Sequence, residues 1–119
     1  LVTLLIAAYI LWMSFSEIGG VIRILMLGSP TELNATDVLM AIENIDGVSS
    51  AHHLHLWQMQ EHQAALDAHL VIDAHRWDDA DAIKQAVKDV LKQSFSLGHT
   101  TLEIECSKHA CVGAEVIGD

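Results

Sequence analysis

Residues 1–15, LVTLLIAAYILWMSF, are apolar almost without interruption: they carry no charge, and only Thr3 and Ser14 are clearly polar. A spanning helix needs roughly 20 such residues, and the run continues as an amphipathic stretch through IRILML to Gly28-Ser29-Pro30, a combination that stops helices. The pattern predicts a membrane-spanning helix with its exit over residues 1–27 and a linker over 28–32. A different rhythm follows. Val38, Leu39, Ile42 and Ile45 recur at helical spacing behind Thr36 and Asp37, which are candidate caps, and Gly47 supplies the left-handed turn that ends the segment. Val48 to Gln60 and Gln63 to Asp73 alternate with a period of two around Glu61-His62, the signature of a hairpin. Asp78 or Asp79 opens a second helix with Ile83, Val87, Leu91 and Phe95 on one side and lysines on the other. Leu97-Gly98 closes it, and His99 to Cys106 reads as a third strand.

The order helix, strand, strand, helix, strand over residues 33–106 predicts an α+β domain, with a Cys/His-containing tail at 107–119. Two helices cover one face of a three-stranded sheet and leave the other open. Strand side chains alternate faces, so parity assigns them. Leu54, Leu56, Leu66, Ala68, Leu70, Ile72, Leu102 and Ile104 point to the helices. His53, His55, Asp67, His69, His99, Glu103 and Glu105 gather on the open face, together with Trp57 and Met59.

Charge sharpens this picture. Across 119 residues, 6 Lys and Arg oppose 16 Asp and Glu, and all 8 histidines lie between His52 and His109. Such a domain repels phosphate backbones and attracts divalent cations, which argues against a nucleic-acid partner. An acidic solvated surface explains charge balances of this kind in general, and one histidine on a wet sheet face needs no explanation. Four histidines and three carboxylates on one parity favour metal binding, for imidazole nitrogen and carboxylate oxygen suit zinc and its neighbours. Trp57 and Met59 on the same face suggest a docking surface, where a second copy of the chain would share the ion. Cys106, His109 and Cys111 form a second, softer candidate site that needs a fourth ligand; two inert thiols on a flexible tail are the competing reading. Two cysteines do not make a disulfide framework. No nucleophile elbow or phosphate loop is present, so an enzyme is not expected. The apolar run lacks the basic region and cleavage site of a signal peptide.

Taken in order, the apolar helix, LMLGSP, the HHLHLW strand, the DAHL strand and GHTTLEIE resemble the C-terminal part of cation diffusion facilitator transporters. The resemblance spans essentially the whole chain and implies a ferredoxin-like or metallochaperone-like αββαβ domain on the cytosolic side of the membrane, behind the last transmembrane helix. It implies a homodimer that senses divalent ions, Zn²⁺ foremost with Cd²⁺ or Co²⁺ as relatives, and regulates a cation/proton antiporter of the cell inner membrane. The transport ligands would lie on earlier helices. Of the candidate ligands, the resemblance selects His52, His69 and Glu105, with His99 as an addition. Two positions depart from the family pattern: His53 stands where an aspartate is usual, and Ala80, Asp81 and Ala82 stand where some members place a histidine. Strict alternation pairs His53 and His55 with His69, whereas the resemblance selects His52. A membrane-anchored module whose sheet face takes a protein or small ligand is the alternative reading.

Overall fold

In a computed structural model that describes residues 1–118, helix α1 (Val2–Leu25) buries none of its side chains. It is long and apolar enough to cross a membrane, with a mean hydropathy of 1.7. An apolar surface of that length is stable only against lipid or protein. The helix ends earlier than the sequence pattern suggests. Leu27 takes a left-handed conformation (φ 52°), and the Gly28 N–H donates to Arg23 O at 2.8 Å, closing the last turn.

The fold beyond α1 is α+β: α2 (Ala35–Glu43), β1 (Val48–Gln60), β2 (Gln63–Ile72), α3 (Ala80–Phe95) and β3 (His99–Cys106). The sheet order is β1-β2-β3; β1 and β2 form an antiparallel hairpin, and β3 runs parallel to β2. Helix α2 is capped by Asn34 rather than by Thr36 or Asp37: the Asn34 Oδ1 accepts from the Thr36 N–H at 2.9 Å. An asparagine one position outside the periodic segment satisfies an orphan amide in the same way that either expected residue would. Gly47 adopts φ 95° at the entry to β1 as expected, packed against the Ile83 side chain. A 3₁₀ turn over Ala74–Asp79 precedes α3, held by Arg76 bridging Asp46 (2.6 Å) and Asp79 (2.9 Å). Helix α3 stops on Ser96 in the left-handed region (φ 57°) instead of on Gly98, which lets Leu97 turn into the core.

One continuous core lies between the sheet and helices α2 and α3. It contains Val38, Ile42, Leu54, Leu56, Leu66, Leu70, Val87 and Leu91. Burying each large aliphatic side chain is worth about 1.5–3 kcal/mol. A one-residue slip of β1 would turn Leu54 and Leu56 outward, so the register after His53 is strongly specified.

Candidate metal centre

The register before His53 is different. Ala51 pairs with Leu70 and His52 with His69, but His55 pairs with Asp67, so three steps on β1 match two on β2. The extra residue is His53, a β-bulge with φ 50°. Histidine is among the non-glycine residues enriched in that conformation. The bulge inverts parity upstream of itself: Ala51 is buried against the helices, and His52 turns to the opposite face beside His69. Strict alternation therefore fails at this point, and both His52 and His55 lie on the face of His69.

On that face β3 supplies the carboxylates, with Glu103 opposite His69 and Glu105 opposite Val71. His69 Nδ1 lies 2.6 Å from Glu105 Oε1, a hydrogen bond, and His69 Nε2 lies 3.5 Å from Glu103 Oε2. His52 Nε2 approaches the same Glu105 Oε1 at 3.4 Å. That contact lacks hydrogen-bond alignment, and His52 Nε2 is the buried side-chain polar atom left without a partner among the described residues. An unpaired polar group in this position costs about 1–3 kcal/mol. His52 is only 6% exposed, so water does not relieve it. Among the described residues, His52, His69 and Glu105 are the group whose donor atoms come within 4.8 Å of one another.

The remaining sequence candidates are arranged around this group. The His53 ring centroid lies 5.2 Å from that of His52 and 5.1 Å from that of His69, so it adjoins the group without joining it. His55 sits under the backbone of Gly118, where a side chain would collide with its ring. His99 opens β3 beside Ala65, six residues from Glu105, which is about 20 Å along a strand. Cys106, His109 and Cys111 are not brought together as a set of three. Cys106 ends β3 opposite Ile72, and His109 lies on an exposed turn. Cys111 turns back to Glu105 instead, its N–H donating to Oε2 at 3.0 Å.

Burial pushes the Glu105 carboxyl up, but the His69 hydrogen bond, the Cys111 N–H and the charges of His52 and His69 outweigh it and hold the group below its ordinary value. A carboxylate kept ionised among imidazoles, one of them with an unused buried nitrogen, has the donor set of a borderline divalent cation. The face is only partly open, since Ala65 and Val71, on the outward parity, are also buried. Sequence reasoning missed the closing tail. Its one signal is the β-branched pair Val116-Ile117, where Ile117 makes a parallel bridge to Leu54.

Residues 30–107 match the sequence model of the cation efflux protein, cytoplasmic domain. Metal tolerance protein 1 of Oryza sativa subsp. japonica is 27% identical over 103 residues, 87% of this chain and 24% of that protein. Proton-coupled zinc antiporter SLC30A8 of Homo sapiens is 34% identical over 82 residues, 69% of this chain and 22% of that protein. The cadmium, cobalt and zinc/H(+)-K(+) antiporter of Bacillus subtilis is 26% identical over 110 residues, 92% of this chain and 35% of that protein. The chain thus spans about a quarter to a third of the length of such relatives. Among solved structures, the metal-bound C-terminal domain of the CzcD transporter from Cuprividus metallidurans is 27% identical, with a TM-score of 0.57 over 61% of this chain and 99% of that one. A MamM C-terminal domain shares the fold, with a TM-score of 0.58 at 20% identity over 77% of this chain and 97% of that one.

Proposed function

Because this chain belongs to the cation efflux protein family through the cytoplasmic domain at residues 30–107, we propose that it is the cytosolic metal-sensing part of a divalent-cation/proton antiporter. Helix α1 spans the membrane, the cell inner membrane on this reading, and the α+β domain stands on its cytosolic side. His52 Nε2, His69 Nδ1 and Glu105 Oε1 hold the regulatory ion, with Zn²⁺ favoured over cadmium and cobalt. The bound ion supplies positive charge that neutralises the Glu103–Glu105 edge of the sheet.

The observation that carries this reading is the buried, unpartnered His52 Nε2 beside an ionised carboxylate. The hydrogen bond between His69 Nδ1 and Glu105 Oε1 already holds these two groups 2.6 Å apart. A divalent cation would be held between them by the neutral imidazole and the carboxylate, and would engage the unused His52 nitrogen as well. Trp57, opposite Ala65 on the same face, gives a second copy its contact, so that ion binding and dimer closure are linked. Domain closure then biases the membrane part toward transport.

Isothermal titration of the chain in detergent with zinc tests this. One tight equivalent per chain is expected, lost in His69→Ala combined with Glu105→Ala. Unchanged affinity and stoichiometry in the double variant would sink the site.

A further inference from the structure

The tail holds observations that a three-residue site leaves unused. Cys111 is anchored by its N–H to Glu105 Oε2 at 3.0 Å, and its Sγ lies 3.7 Å from Glu105 Oε1. That oxygen is the one approached by His52 Nε2 at 3.4 Å and by His69 Nδ1 at 2.6 Å. Two imidazoles and a thiol thus converge on a single carboxylate oxygen. Beyond Cys111 the chain is stitched to β1 at the bulge. The His53 N–H donates to Glu115 O (2.8 Å), the Leu54 N–H to Val116 O (3.1 Å), and the Gly118 N–H to Leu54 O (3.0 Å). Residues 111–118 therefore form a strap held at both ends by residues of, or next to, the metal centre. An exposed cysteine on a loose tail carries no information. This one is fixed to the carboxylate that the buried, unpartnered His52 Nε2 also approaches.

We propose that Cys111 is the fourth ligand, completing with His52, His69 and Glu105 a closed site for a thiophilic divalent cation. The inference rests on the three-residue site proposed above and specifies its ion class. Zinc takes Cys sulfur, His nitrogen and carboxylate oxygen as ligands, and binding sites without catalysis are four-coordinate and closed. A thiolate favours zinc and cadmium over harder ions such as manganese. Sulfur binds as thiolate, so occupancy releases the thiol proton to solvent. The chain completes the ion's ligand set from its own tail, and dimer contact is then not needed for tight binding.

Titrating the 119-residue chain in detergent with Cd²⁺ alone tests the assignment, read by the ultraviolet thiolate-to-cadmium charge-transfer band and by calorimetry. Wild type and Cys106→Ser should show the band at one equivalent. Cys111→Ser should lose it, and cadmium affinity should fall at least the roughly tenfold that loss of even an outer partner costs a metal site. A band that survives Cys111→Ser, or cadmium bound through His69 with no thiolate band, overturns the proposal and leaves the three-residue site standing. Cadmium affinity unaffected by His69→Ala, with the band dependent on both cysteines, overturns both readings.

Discussion

Glu105 is where the chemistry of this domain concentrates, because opposing forces meet on one carboxyl. Burial favours its neutral form, while His69, the Cys111 N–H and the charge of His52 favour the carboxylate and prevail. A carboxyl whose folded-state pKa is depressed contributes stability above its unfolded value and loses it as pH falls through the folded value. In metal-free buffer the wild-type chain should therefore be more stable than Glu105→Gln near neutral pH by roughly 1 kcal/mol, the scale of one net hydrogen bond. The difference should shrink once pH falls below about 4, the ordinary carboxylate range. Urea unfolding in detergent, followed by the β-sheet signal at several pH values, checks this. A difference that grows on acidification contradicts the assigned balance of forces. His52 complements this residue: its unpartnered nitrogen is a cost to the fold that a cation bound as proposed would remove.

At the scale of elements, the three strands and two domain helices were legible because alternation and helical spacing are strong signals, and the core leucines obey them. The caps were less legible. Asn34, Thr36 and Asp37 compete chemically for one role, and Ser96 adopts the left-handed turn that glycine at position 98 was expected to supply. The site was half legible. His69 and Glu105 follow from parity, but His52 does not, because parity breaks at the His53 bulge. The apolar spacing of Ala51, Leu54 and Leu56 carries that break, and alanine is too weakly apolar to announce it. The bulge has a testable role separate from the His53 imidazole. His53→Asn and His53→Val both delete the ring, but asparagine tolerates φ 50° and a β-branched residue does not. Left-handed strain of about 1–3 kcal/mol at valine should straighten the strand and turn His52 away. Zinc affinity should thus fall at least about tenfold further in His53→Val than in His53→Asn, about 1.4 kcal/mol. Equal affinities in calorimetry would detach the bulge from the site.

For the whole molecule, the outer edge of β1 joins what the fold otherwise separates. The exit of α1 is stitched there by the Gln58 N–H donating to Gly28 O (3.0 Å) and the Ser29 hydroxyl donating to Leu56 O (3.1 Å). The tail strap occupies the same edge at His53 and Leu54, and His52 follows directly on the strand. The exit of α1, the strap and the candidate metal centre thus share one strand, so on the proposed function β1 is the element through which ion occupancy would reach α1. The same strand runs through a chain with a net charge of −10, so two electrostatic effects on stability have to be separated. Salt screens the diffuse repulsion among acidic side chains over a Debye length of about 10 Å at 0.1 M, whereas a coordinated cation acts only through its ligands. Zinc free at a hundred times its dissociation constant should stabilise the fold by about 2.7 kcal/mol. For a domain of this size that corresponds to a rise in melting temperature on the order of 10–20 °C, reversed by a chelator. Sodium chloride without zinc should raise the melting temperature by much less. His69→Ala should abolish the zinc increment and leave the salt increment intact. A zinc increment that survives in that variant would mean that zinc acts only as a counterion cloud, and the coupling through β1 would have no ion-specific input.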